Sequence, residues 1–211
     1  MILSLYRKLK PMNNAQKDDW GTDTMTDNNQ QVSFDDEMLI LVDESDNVVG
    51  YSDKLECHRG EGVLHRAFSI FIFNDAGELL LQKRSPQKQL WPDYWSNSCC
   101  SHPRKGEELE NSTQRRLAEE LGISAPLKHL FTFQYHAKFG DIGSENEMCA
   151  VYIGKSNQEI RVNPNEISDW KYVSINDLTR ELAVNGDQYS PWIKLEWERI
   201  MMSHMDDIKS L

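Results

Sequence analysis

The 211-residue chain has no apolar run approaching the ~20 residues that a helix needs to cross a bilayer. Its start, MILSLYRKLKPMNN, is too short and polar to read as a secretory signal. No membrane partner is therefore expected. Cysteine is scarce: Cys57, Cys99, Cys100 and Cys149 are too few for a disulfide scaffold at this length, so a reducing, cytoplasmic home is the expectation. Positive charge is also short, 23 Lys+Arg against 34 Asp+Glu, a formal net charge of −11. That balance excludes a general nucleic-acid binder and confines any anionic ligand to a locally basic pocket. No internal repeat is visible. The remaining composition, 39% hydrophobic and 27% charged, is that of a soluble globular domain.

Residues 1–33 read as a mobile leader, because the stretch from Asn13 to Ser33 is polar, lacks helical or strand period and cannot bury enough apolar surface to offset ordering entropy. One catalytic-size domain is expected over 34–211. Met38–Val42 and Val48–Tyr51 form a hairpin pattern, as do Phe68–Phe73 and Glu78–Arg84 around the turn Asn74–Gly77. After a Trp/Pro-dense loop (Trp91–His102), Glu108–Leu121 predicts a helix closed by Gly122, with Leu109, Leu117, Ala118 and Leu121 as its buried stripe. Phe131–Lys138, Glu147–Ile153 and Lys171–Val173 predict strands. Ile175–Ala183 and Pro191–Met205 predict helices, the second packing through Trp192, Leu195 and Ile200. The order implies an α/β (α+β) sandwich.

Three groups of residues bear on chemistry. His58, His65 and His102 are each compatible with a structural or a ligating role. Glu145-Asn146-Glu147 enters an apolar strand, where residues i and i+2 share a side, so both carboxylates project together and need a cation or a shared proton. Three imidazoles and two carboxylates suit Zn, Mn, Fe or, less well, Mg. In Trp95–Pro103 the pair Cys99-Cys100 reads either as packing or, two residues from His102, as an acid or base. The helix from Glu107 to Gly122 reads either as a solvated face with pairs Arg115–Glu119 and Arg116–Glu120 or as a carboxylate set for a divalent ion on a diphosphate. Lys54, Lys83, Arg84, Lys88, Arg115 and Arg116 are the available cations. Phe68, Trp91, Trp95, Tyr135 and Trp192 fit a core, and their faces could also stabilise a cation.

The stretches Cys57–Ser69, Trp91–Pro103, Arg115–Gly122, Glu145–Glu147 and Ser190–Trp192, in this order, resemble type I isopentenyl-diphosphate isomerase, a branch of the Nudix fold. The general Nudix pattern is G-x5-E-x7-R-E-U-x-E-E-x-G-U, with U bulky and apolar. Glu107, Arg115, Glu119, Glu120, Gly122 and Ile123 fit it, while Ser101 replaces the Gly and Arg116 replaces a Glu. Both departures are those of the isomerase branch, and they set a Nudix pyrophosphohydrolase of nucleotide diphosphate derivatives as the alternative. A third possibility is a non-catalytic metal- or partner-binding module.

The resemblance implies a Nudix-like sandwich of mixed β-sheets flanked by helices. It implies one divalent metal, Mn²⁺ or Zn²⁺, on His58, His65, His102, Glu145 and Glu147. It also implies a Mg²⁺ that joins Glu120 to the substrate diphosphate. Cys100, two before His102, matches the catalytic thiol; Glu147, with Tyr135 beside it, matches the second acid/base group. Lys54, Arg84, Lys88 and Arg116 match diphosphate contacts, and Trp192 the aromatic over the carbon skeleton. The implied partner is the small molecule isopentenyl diphosphate, acted on by a monomer or weak dimer, with no nucleic acid or membrane. Which of Cys100 and Glu147 gives the proton and which takes it stays open.

Overall fold

A computed structural model describes residues 28–211; the first 27 residues of the expected leader lie outside the described residues. Among those described, strands β1 (Met38–Val42), β2 (Val48–Asp53), β3 (His65–Phe73) and β4 (Leu79–Arg84) open the fold, with one helical turn, α1 (Lys54–His58), between β2 and β3. Two short strands, β5 (Trp95–Ser96) and β6 (Cys99–Ser101), precede helix α2 (Leu109–Leu121). Long strands β7 (Leu127–Phe139) and β8 (Gly143–Lys155), then β9 (Ile167–Val173), lead to helices α3 (Ile175–Asn185), α4 (Pro191–Ser203) and α5 (Met205–Lys209).

β3 is the organising strand. Its run FSIFIF is apolar on both sides because both faces are covered, the pattern of a strand buried inside a sandwich. Phe68, Ile70 and Ile72 pack with Leu117 and Leu121 of α2, whereas Ala67, Phe71 and Phe73 pack with Trp192, Trp197 and Ile200 of α4. β3 pairs in parallel with β8 and antiparallel with β1, β4 and β6. The sheet is mixed and helices flank it, as the α/β sandwich expectation requires.

The structure departs from the sequence reading in several details: α1 is not among the expected elements, and β7, β8 and β9 run beyond the expected Phe131–Lys138, Glu147–Ile153 and Lys171–Val173. The Trp/Pro-dense loop contains β5 and β6, too short for a two-residue period to show. Ala118 and Leu195 are exposed rather than packed: the buried stripe of α2 runs through Ser112, Thr113, Arg116, Leu117, Glu120 and Leu121, and that of α4 through Trp192, Ile193, Glu196, Trp197 and Ile200. Both stripes carry buried polar residues, which an apolar-only count shifts out of phase. The last helix also breaks at His204, whose N–H still bonds to Ile200 O before α5 begins.

Gly122 closes α2 in the left-handed conformation, φ 69°, as its position predicts. Gly143 meets a different demand. A Cβ there would lie 2.3 Å from the carbonyl oxygen of His58, so only glycine lets β8 pass against α1. Gly143→Ala is expected to force these elements apart at an overpacking cost of about 1–3 kcal/mol. Thermal unfolding should show Tm lowered by roughly 2–10 °C; an unchanged Tm would refute the close approach.

Candidate active site and metal centre

Where β3 and β8 begin side by side, their register sets His65 directly opposite Glu147. Strand alternation turns Glu145 to the same side, while Asn146 points away to donate to Gly62 O at 3.3 Å. His58 arrives from the end of α1 and His102 from the residue after β6. Ligand atoms of all five lie within 4.8 Å of one another. His58 Nδ1 contacts Lys54 O at 2.6 Å and His65 Nδ1 contacts Val63 O at 2.7 Å. With those nitrogens donating, each Nε2 lone pair faces inward, the usual second bond of a metal-binding histidine.

The donors fit a divalent ion. His65 Nε2 is buried without a hydrogen-bond partner, and Glu145 Oε2 has none either although His58 Nε2 lies 2.8 Å away. Burial, with the charge of His58, holds His65 down at about 4, and burial holds His102 well below the usual histidine range. Both are neutral, as ligands must be. Burial opposes charge on His58 and Glu145 alike, but their mutual attraction prevails, raising His58 and holding Glu145 down at about 2. Glu147 goes the other way. Burial, then the adjacent charge of Glu145, pushes it well above the carboxylate range, and Tyr135 Oη donates to its Oε2 at 2.6 Å. Burial and mutual repulsion thus set the two carboxyls apart, Glu145 toward the charged form and Glu147 toward the neutral one.

β6 separates the two cysteines by the same alternation. Cys99 turns to the α2 layer, donating to Glu120 Oε1 at 3.4 Å, whereas Cys100 lines the cavity. Cys100 Sγ donates to Asn97 Oδ1 at 2.8 Å and accepts from Trp192 Nε1 at 3.1 Å. Burial, then the charge of Glu196, pushes this thiol up to about 12, against Ser96 and Arg84. Trp192 places its ring beside the sulfur, with the Arg84 guanidinium carbon 5.1 Å from the ring centroid.

A cavity of about 500 Å³ joins these groups: Cys100, Tyr135, Glu145, Glu147 and Trp192 line it together with Lys54, Arg84, Lys88 and Arg116. Desolvation, then the charge of Lys88, depresses Lys54 to about 8. Glu120 is the outlier among the expected residues. It lies behind Arg116, whose Nη2 is 2.7 Å from its Oε1, and it is not among the cavity-lining side chains.

Several residues here had gone unnoticed in the sequence. Glu166 pairs with Lys88, and at 3.1 Å with Arg116; Asn97 holds the Cys100 thiol; Arg116 Nη1 donates to Val32 O, and Lys54 bonds Ser33 Oγ. Nothing local marks Glu166, which reaches the site through contacts 50 and 78 positions away. Asn97 carried a signal, a polar residue in the same loop as Cys100, but its carbonyl target lies in β3.

The NUDIX domain family matches residues 63–193. The chain is 42% identical to "Isopentenyl-diphosphate Delta-isomerase 1" of Photorhabdus laumondii over 174 residues, 82% of this chain and 99% of that protein. It is 44% identical to the "Isopentenyl-diphosphate Delta-isomerase" of Serratia proteamaculans over 158 residues, 74% of this chain and 87% of that one. The chain belongs to the type I isopentenyl-diphosphate isomerase family, within the Nudix fold. Among solved structures, DR0079 of Deinococcus radiodurans shares 28% identity and a TM-score of 0.58, covering 70% of this chain and 89% of that one.

Removing one imidazole should empty the metal centre. His65→Ala is expected to weaken metal binding well beyond the roughly 10–100-fold that loss of a ligand's own hydrogen-bond partner costs. Metal content after gel filtration checks this. A His65→Ala protein that keeps one equivalent of metal would remove His65 from the centre.

Proposed function

We propose that this family member converts isopentenyl diphosphate to dimethylallyl diphosphate for isoprenoid biosynthesis, with Glu147 and Cys100 working on opposite faces of the substrate. The observation that carries this reading is one cavity lined by a thiol, a protonated carboxyl and four cations. The relatives' names supply the reaction, and the cavity supplies groups suited to it.

The chemistry sets the requirements. Protonating the terminal alkene carbon makes a tertiary carbocation; losing a proton from C2 restores a double bond in its new place. One proton enters and one leaves, so the two groups exchange protonation states in each turnover. Glu147, held protonated by burial and the charge of Glu145, suits the donor, with Tyr135 bonded to its carboxyl. Cys100 would accept the C2 proton as a thiolate, having first given its own proton to solvent; because burial pushes the thiol up to about 12, that thiolate is a strong base. Trp192 Nε1 donates to that sulfur, and the indole face would stabilise the cation by roughly 0.5–2 kcal/mol. In the reverse reaction the roles exchange.

Lys54, Arg84, Lys88 and Arg116 would bind the diphosphate, so the five-carbon end reaches the thiol and the carboxyl. A bound divalent ion, Mn²⁺ or Zn²⁺, would be held by His58, His65, His102, Glu145 and Glu147 and would add positive charge there; the Mg²⁺ expected on Glu120 is not supported, because Glu120 is turned to Arg116 and away from the cavity. Hydrolysis is disfavoured by Arg116. It stands where a Nudix hydrolase has a carboxylate and ion-pairs with Glu119, Glu120 and Glu166, so the acidic cluster is neutralised internally.

Incubation with isopentenyl diphosphate and Mg²⁺ in deuterated water should give deuterated dimethylallyl diphosphate by NMR; release of phosphate without isomerisation would favour the hydrolase. Cys100→Ala should lower turnover by about 10²–10⁴-fold with metal content unchanged, while Cys99→Ala stays within severalfold of the parent. Near-normal turnover of Cys100→Ala would end the assignment of that thiol.

A further inference from the structure

Ser190 stands at the N-cap of α4, just ahead of Pro191, yet its side chain makes no cap bond. A serine in that position ordinarily accepts from a backbone N–H two or three residues on. Here the hydroxyl turns across to the Ser96 hydroxyl of β5, 2.9 Å away, and the Ser190 N–H donates to Trp95 O at 2.9 Å. Both serines are fully buried. A local preference given up in this way marks a demand made by the tertiary structure.

The bonds around Ser96 admit one assignment of protons. Asn97 Nδ2 donates to Ile70 O at 3.1 Å and to Cys99 O at 3.0 Å, so both of its N–H groups are used. Asn97 Oδ1 accepts from the Ser96 hydroxyl at 3.0 Å and from Cys100 Sγ at 2.8 Å. With its one proton given to Asn97, Ser96 accepts from its other neighbours, the Ser190 hydroxyl and Trp192 Nε1, the latter at 2.9 Å. The indole N–H is thereby shared between Ser96 Oγ and Cys100 Sγ, the sulfur 3.1 Å from it. Ser96 and Asn97 then have every donor and acceptor engaged, the condition under which a buried polar network is rigid.

We propose that Ser96, backed by Ser190, is a positioning residue for the reaction: its hydroxyl fixes the Trp192 indole, so that the ring bonded to the Cys100 sulfur through its N–H also keeps its face toward the carbocation. The inference rests on the proposed isomerisation and on Trp192 meeting that cation. A single hydrogen bond to a thiol leaves an indole room to pivot. A second acceptor, held on β5 by Asn97 and Ser190, removes that freedom, and cation–π attraction requires the cation to lie over the ring face.

The test is a double-mutant cycle on the metal-loaded enzyme. Ser96→Ala should lower kcat by about tenfold with KM changed less than about twofold, as when a contact made in the transition state is lost and substrate binding is kept. In a Trp192→Phe background, which lacks the N–H, the same substitution should lower kcat by less than about twofold. Ser96→Thr keeps the hydroxyl and should restore most of the rate. Ser190→Ala removes no cap bond and leaves Ser96 in place. It should lower kcat severalfold in the parent and leave it unchanged in Trp192→Phe, which keeps the test decisive if Ser96→Ala does not fold. In ¹H–¹⁵N spectra the indole signal missing from Trp192→Phe should shift in Ser96→Ala and return in Ser96→Thr. Equal losses from Ser96→Ala in both backgrounds would place its effect on the Cys100 sulfur, 3.7 Å from Ser96 Oγ, or on the loop alone, and would overturn the inference. An unmoved indole signal or an unchanged kcat would overturn it as well. A parent that makes no dimethylallyl diphosphate removes the proposed function and this inference with it, whereas an active parent with equal losses removes the role of Ser96 alone.

Discussion

Three imidazoles and two carboxyls converge where β3 and β8 start side by side, and the functional half of the molecule is arranged around that concentration of buried polarity. Such a cluster is unfavourable on its own. Two carboxyls in one dry place cannot both be charged without a cation, and His65 has a ring nitrogen with no partner. The protein answers by setting the pair apart, with Glu145 held toward the charged form beside His58 and Glu147 toward the neutral form, where Tyr135 donates to it. A divalent ion would answer it more completely. The same asymmetry that reconciles the cluster with burial leaves an acid pointing into the cavity.

The cavity solves a second electrostatic problem. The chain as a whole carries a net charge of −11, yet Lys54, Arg84, Lys88 and Arg116 line one cavity. Burial first, then the charges of Lys88 and Arg116, depresses Lys54, and Glu37 and Glu166 act against that. On the proposed function, an arriving diphosphate would find cations already assembled and partly desolvated, which would spare the cost of gathering them at binding. The acidic remainder of the surface then favours a small ligand that can enter the pocket over a large polyanion.

Much of this was legible beforehand because it is periodic or local. The two-sided apolar run of β3, the Gly122 stop of α2 and the i, i+2 spacing of Glu145 and Glu147 are short-range patterns, and each appears where the sequence reading put it. The choice of Cys100 over Cys99 rested on resemblance, and strand alternation now supplies its geometric counterpart. The stripes of α2 and α4 were read one residue out at Ala118 and Leu195 because buried Arg116, Glu120 and Glu196 do not look like core residues. Their burial depends on partners far along the chain, Glu166 for Arg116 and Cys149 for Glu196.

By itself the amino-acid order determined the class of fold, the family, and the residue types able to ligate a metal, hold a diphosphate and move a proton. Those properties follow from short-range spacing and side-chain chemistry. Only the tertiary structure decided which carboxyl is held toward the charged form and which cysteine faces the cavity. These are matters of desolvation and of distances between strands remote in sequence, and both arise only once β3, β6, β8 and α4 pack together.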